Sequence, residues 1–339
     1  MPAGLAWLRR VGLSLAQVHA IKVHEAQFSF RDRGFVIRRE PFVFCVVRRE
    51  EFDARLADAA RERGLTLEED TRVRSVRYVG DLVEVKTDRG AYRARAVVGA
   101  DGAAGVVRRA VARQRVPRVA RLLEILVPAE SCSNPHSSSS SPSVPGDGRA
   151  LFDFSCMADD VQGYVWDFPT QVQGRPMRAV GVFDSRVRPR APRADLRATL
   201  QTALARKGVA LKHCSLKGHP LRHFHPRAAL SAPRMLLVGD AAGVDPLLGE
   251  GISFALGYGD VAARALRDAL KRDDFSFEDY RARVLAHWTG RSLQRRAAVA
   301  RLLYRIRSRR LLRFFGWHLA PLVGWPAQRF LVDWGDGVP

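Results

Sequence analysis

Cysteine is scarce in this 339-residue chain: Cys45, Cys132, Cys156 and Cys214 are all of it, and no two stand at C-x-x-C spacing. That excludes a disulfide-stapled secreted scaffold and a paired-cysteine zinc site, and it fits a reducing, cytoplasmic setting. No apolar run approaches the ~20 residues a membrane-spanning helix needs. Arg9 and Arg10 break the only apolar stretch near the start, which argues against a secretory signal. Acidic residues are also in short supply, 35 against 56 Lys and Arg, leaving a formal net charge of +21. Hydrophobic residues make up 47%, enough to exclude wholesale disorder, and the length allows two domains.

The excess positive charge gathers at one end. Residues 281–332 hold twelve arginines and no acidic residue. Val299, Leu302, Leu303 and Ile306 recur at helical spacing, and Arg301, Arg305 and Arg309 line another face. With Phe314, Phe315 and Trp317 following, this reads either as a peripheral contact with anionic membrane or as a solvated basic helix. Nucleic acid is the weakest partner reading, because no nucleic-acid-binding motif accompanies the charge.

Residues 235–252, MLLVGDAAGVDPLLGEGI, carry the most chemistry. An apolar strand delivers Asp240 to its C-terminal tip, and Ala241, Ala242 and Gly243 leave room for a ligand against the backbone. Pro246 stiffens the turn. Gly249, Glu250 and Gly251 then open a long apolar-periodic helix at Ile252. A carboxylate, a small-residue turn and a bare helix N-terminus suit a polar, partly anionic cofactor.

This segment resembles the second FAD fingerprint of the class A flavoprotein family, within which it is most similar to geranylgeranyl reductases. The resemblance implies cofactor contacts at Gly239, Asp240, Pro246, Gly249, Gly251 and Ile252. Upstream, Val97 and Val98 lead into Gly99-Ala100-Asp101-Gly102 and a helix from near Ala104 that carries Arg108. That resembles the family's DG motif, in which the Asp and the Arg act near the pyrophosphate, but Ala104-Gly105 stands where the family usually has Arg-Ser. Arg49, three residues before Phe52 on an amphipathic helix, matches the family position that reaches the FAD phosphates, a role suited to a planar guanidinium.

No G-x-G-x-x-G occurs anywhere in the chain, although a strand, this turn and a helix normally open a dinucleotide-binding domain. Residues 1–13 look like the family segment after the second strand. The expectation is a chain that lacks the first βαβ unit and holds FAD weakly. Losing two or three charge-assisted bonds of about 1.5–3 kcal/mol each weakens binding by on the order of 10³-fold.

Alternation in residues 163–169 puts Tyr164, Trp166 and Phe168 on one side of a strand, with Pro169 following. Taken alone the row reads as an aromatic core face. It also resembles the Tyr-x-Trp-x-Phe-Pro motif lining the hydrophobic substrate tunnel of geranylgeranyl reductases, and a comparable tryptophan-rich motif shields the flavin in related halogenases. His213, Cys214, His219, His223 and His225 fit no zinc template, so no metal is expected.

The expected fold class is α/β: an FAD/NAD(P)-binding Rossmann-like three-layer fold, N-terminally truncated, interleaved with an α+β substrate domain. Residues 45–117 and 230–275 form the FAD domain. Residues 14–44 and 118–229 form the substrate domain with a flexible insertion at 131–149, and 276–339 form a basic helical region. The function implied is FAD-dependent oxidation or reduction of a small hydrophobic, isoprenoid-like molecule. It would proceed by alkene reduction or flavin-hydroperoxide monooxygenation, with NAD(P)H as electron donor. The alternative is a noncatalytic fragment with a membrane-surface helix.

Overall fold

The computed structural model describes residues 6, 8–31, 33–112, 119–132 and 148–306. The serine-rich part of the expected insertion, the aromatic stretch around Trp317 and Arg309 lie outside them. In chain order the strands are β1 (Ile21–Val23), β2 (Glu25–Phe30), β3 (Arg33–Arg38), β4 (Phe44–Val46), β5 (Val73–Val79), β6 (Leu82–Thr87), β7 (Ala91–Ala94) and β8 (Val97–Gly99). There follow β9 (Val119–Pro128), β10 (Arg149–Asp153), β11 (Gly163–Val172), β12 (Arg175–Asp184), β13 (Lys217–Arg222), β14 (Ser231–Ala232) and β15 (Met235–Leu237). Two compact units divide the chain: Met1–Ala60, Arg121–His219 and Arg301–Pro339 form one, and Arg61–Ala120 with Pro220–Ala300 form the other.

The first unit is built on a seven-stranded sheet in the order β13-β9-β12-β11-β10-β2-β3. Alternation assigns its two faces. Ile125, Val127, Val165, Val180 and Val182 point to one side, where Leu196, Leu200 and Leu204 of the helix Leu196–Ala205 pack on them. Asp195 caps that helix by accepting bonds from the Arg197 and Ala198 amides at 2.9 and 3.1 Å.

The opposite face is aromatic, and the strand register lines its residues into a row. Phe35 pairs with Phe28, Phe28 with Phe152, Phe152 with Trp166, and Trp166 with Gly181. Phe28 stacks on Phe35 and on Phe152 at centroid distances of 5.0 and 4.6 Å, and Phe168 tilts onto Phe152 at 4.9 Å. Gly181 is required by this packing: a Cβ there would lie 2.2 Å from Trp166 Cζ2.

The second unit contains two three-stranded sheets, β5-β6-β7 and β14-β15-β8. The sequence suggests one strand over residues 91–98, but the chain breaks at Arg95-Ala96 into β7 and β8, which join different sheets. β8 and β15 run parallel, with Val97 opposite Met235 and Gly99 opposite Leu237. Met235, Leu236 and Leu237 are all buried, as expected for a strand covered on both faces. The helices Ile252–Arg272 and Tyr280–Ala286 follow, then a helix over Trp288–Leu303.

This last helix does not bury the stripe its sequence suggests. Leu293, Ala297 and Ala300 are buried, while Val299 and Leu302 remain 37% and 69% exposed. The face it buries runs instead through Leu293, Arg296, Ala297 and Ala300.

Candidate functional site

Parallel pairing of β8 and β15 brings the two Asp-bearing turns of the second unit side by side, because both strands end at the same level. Neither aspartate sits on the strand itself. After β15 the chain turns at Gly239, where φ is +55°, and Asp240 lies in the first turn of a four-residue helix, Gly239–Ala242. Asp101 lies in the turn after β8. Its Oδ2 accepts a 2.7 Å bond from the Val107 amide and so caps the helix Val106–Val111.

Asp101 can fold back this way because residue 105 is glycine. A Cβ at Gly105 would fall 1.9 Å from the Asp101 Cγ. The departure from the family's Arg-Ser thus has a physical consequence, since it lets the carboxylate cap the helix directly.

Arg108 projects from that helix and is buried. Its Nη1 donates to the Ala241 carbonyl at 3.0 Å, and among the described residues no carboxylate forms an ion pair with it. Burial first, and the neighbouring Arg222 second, lower its pKa from the usual guanidinium value to about 10, with Asp101 opposing. Arg222 is half-buried, its own pKa is lowered by burial, and its Nε donates to the Ala103 carbonyl at 3.5 Å. Two desolvated guanidiniums repel each other here, and both hydrogen-bond to the turns that carry Asp101 and Asp240. Such a pair is suited to an anionic group with oxygens on more than one side, as a pyrophosphate has.

The segment after Asp240 is held from within. The Asp245 carboxylate accepts from the Leu247 amide at 2.8 Å and the Leu248 amide at 3.2 Å, and the Asp245 amide donates to the Glu250 carbonyl at 3.1 Å. Pro246 therefore sits inside a closed turn. Arg296, from the helix Trp288–Leu303, donates to Asp245 Oδ2 at 2.6 Å. Arg296 is 1% exposed and Asp245 0%, so the pair is fully desolvated. Two buried tyrosines hold the chain on either side of Asp240: Tyr280 donates to the Leu237 carbonyl at the end of β15 at 3.0 Å, and Tyr258 to the Gly243 carbonyl at 3.1 Å.

The N-terminus of the helix Ile252–Arg272 is not bare. Glu250 Oε1 accepts the Ser253 amide at 2.9 Å, while Glu250 Oε2 is buried with no hydrogen-bond partner among the described residues. Burial is the largest influence on this carboxyl and raises its pKa. Gly251 remains close to the turn: a Cβ there would lie 3.3 Å from Asp240 Oδ1.

Asp101, Gly102, Arg108, Gly239, Asp240, Pro246, Gly249, Gly251 and Ile252 all fall in this second unit. Arg49, Tyr164, Trp166, Phe168 and Pro169 belong to the first. Arg49 is exposed and its Nη2 pairs with Asp53 Oδ2 one helical turn on, at 3.0 Å. Its neighbour Arg48 is the less exposed of the two and pairs with Glu50 at 3.1 Å. Tyr164 and Trp166 are buried within the aromatic face of the large sheet.

Arg222, Arg296, Tyr258 and Tyr280 carry no motif that marks them in the sequence, and Asp245 and Glu250 lie inside the 235–252 segment without being singled out there as site residues. Only the Glu250–Ser253 spacing, an acid three residues before a helical amide, is a local signal. Among the described residues no cluster of His, Cys, Asp and Glu could hold a metal.

Among the described residues these donors are cationic, desolvated and unmatched by a carboxylate, a chemistry that suits a pyrophosphate such as that of FAD. A digeranylgeranylglycerophospholipid reductase of Methanosphaera stadtmanae is 27% identical over 275 residues, which is 78% of this chain and 65% of that protein. An uncharacterised protein of Methanosarcina barkeri is 25% identical over 231 residues, 68% of this chain and 54% of that protein. The chain thus matches between about half and two thirds of the length of these curated relatives.

Among solved structures, a geranylgeranyl bacteriochlorophyll reductase-like protein of Thermoplasma acidophilum superposes with a TM-score of 0.69 at 20% identity. That match covers 88% of this chain and 76% of the other, and it shows a shared fold. The family model described as "FAD binding domain" matches residues 8–283. The chain belongs to the FAD binding domain family, with the Rossmann-like α/β fold and accompanying substrate domain of flavoprotein oxidoreductases and monooxygenases.

Proposed function

We propose that this protein is an FAD-dependent oxidoreductase whose substrate is a small hydrophobic molecule of isoprenoid-like character. The observation that carries the reading is the Arg108 guanidinium, buried beside Arg222 and hydrogen-bonded to the Ala241 carbonyl of the Asp240 turn. A desolvated cation without a carboxylate partner costs stability unless an anion completes it. The similarity to the reductase of Methanosphaera stadtmanae supports the substrate class. So does the continuous aromatic face of the first unit, a largely apolar row that runs through Phe28, Phe152 and Trp166.

Bound FAD supplies the redox chemistry, with NAD(P)H as the electron donor we assign to it. The chain's own residues bind and orient it. Arg108 and Arg222 hold the pyrophosphate, Asp240 accepts from hydroxyls of the ribityl region, and residues 249–252 shape the backbone beside the ring system. Whether the substrate is reduced at an alkene or oxygenated is decided by product analysis. The direct test of binding is titration with FAD, followed by flavin fluorescence, against FMN as a control. FMN lacks the pyrophosphate and adenosine, so the reading expects FAD to bind more tightly. Equal affinity would contradict the assigned phosphate site.

A further inference from the structure

The matched family region ends at residue 283, yet the most deeply buried charge bonded to the fingerprint turn comes from beyond it. Arg296 lies on the helix Trp288–Leu303 and reaches Asp245 Oδ2 at 2.6 Å, with its guanidinium 5.8 Å from the centre of the Phe254 ring. Asp245 in turn holds the Leu247 and Leu248 amides, and its own amide bonds to the Glu250 carbonyl. The cation therefore anchors the one residue whose carboxylate and amide together close the turn that contains Pro246 and Gly249. A fully buried pair contributes little net stability, but it penalises every conformation that separates its charges. That is the property a site requiring one backbone arrangement needs.

We propose that Arg296 is a positioning residue: it locks residues 245–251 in the FAD-binding conformation, so that a helix outside the matched domain sets cofactor affinity. This rests on reading that turn as part of the FAD site.

The test uses the full chain with R296L, R296K, D245N and the double variant D245N/R296L. Each is measured by FAD titration and by amide hydrogen exchange of residues 245–251 without cofactor. R296L alone leaves a buried carboxylate unpaired, so a lowered melting temperature is expected. The double variant buries no lone charge and retains the Asx turn through the Asn carbonyl, so it recovers most of that melting temperature. It is nevertheless expected to exchange faster over 245–251 and to bind FAD about tenfold more weakly or worse. R296K keeps the charge and restores part of both. A refolded double variant in which either the exchange or the affinity matches wild type overturns the proposal. If the wild-type chain takes up no FAD, the functional reading fails separately, and the exchange result alone decides for or against the lock.

Discussion

Arg108 Nη1 meets the Ala241 carbonyl at 3.0 Å across 133 residues of sequence, tying the helix after Asp101 to the turn after β15. The bond holds a cation in place without neutralising it. Replacing Arg108 with Met removes a desolvated charge while keeping most of the side-chain volume. The apoprotein is then expected to be as stable as wild type within about 1 kcal/mol, or more stable. FAD affinity should fall by about 10- to 100-fold, the equivalent of one charge-assisted contact. Thermal melts beside FAD titrations check both halves. A large loss of apoprotein stability with unchanged affinity would make Arg108 a structural residue.

Asp240 is expected to act differently. Asn in its place conserves shape and one acceptor, so folding should be unaffected and FAD affinity reduced by about tenfold. Circular dichroism and the same titration measure this.

Trp166 lies across Gly181, and Ala at that position would place a Cβ 2.2 Å from the indole and 2.5 Å from the Leu123 carbonyl oxygen. The Gly181→Ala variant should lose about 1–3 kcal/mol in chemical denaturation. Its near-ultraviolet dichroism should change as the indole is displaced. An unaltered tryptophan signal would mean that the aromatic row tolerates the extra methyl.

Glu250 gives a pH dependence of unusual sign for a carboxyl. Burial raises its pKa in the folded state, with the Ser253 amide and Arg296 opposing and Asp245 adding to the rise. Above the ordinary value of 4.5 the unfolded chain releases this proton while the folded chain retains it. Stability from this group is therefore full below that value, and it declines as pH rises until the folded-state pKa is passed. Glu250→Gln should remove that decline, so the variant gains relative to wild type as pH increases from 4.5. Urea denaturation at a series of pH values tests it; parallel curves would contradict the assignment.

What the sequence made legible follows from range. Strand β15, the turn at Asp240 and the helix from Ile252 are encoded within 20 consecutive residues or so, by apolar runs and by small residues at fixed offsets. The aromatic row on β11 is likewise readable from alternation, though not its extension through Phe152 and Phe28, which depends on strand order. Arg49 illustrates the limit. In a chain with many arginines, an acid four residues on is a sufficient partner, and Asp53 takes it. The closure of residues 245–251 by Arg296 spans 51 positions and depends on where a later helix packs. No periodicity could announce it. Nor could the sequence show that Glu250 would occupy the Ser253 amide at the helix N-terminus, since the same spacing also occurs in exposed turns.

The most direct test is an equilibrium titration of the wild-type chain with FAD alongside R108M and D240N. Weak but saturable uptake of one FAD per chain is expected, with both variants weakened by about a further tenfold or more while remaining folded. No saturable uptake by the wild type, or identical affinities in all three, would contradict the assignment of the Asp101 and Asp240 turns as an FAD site.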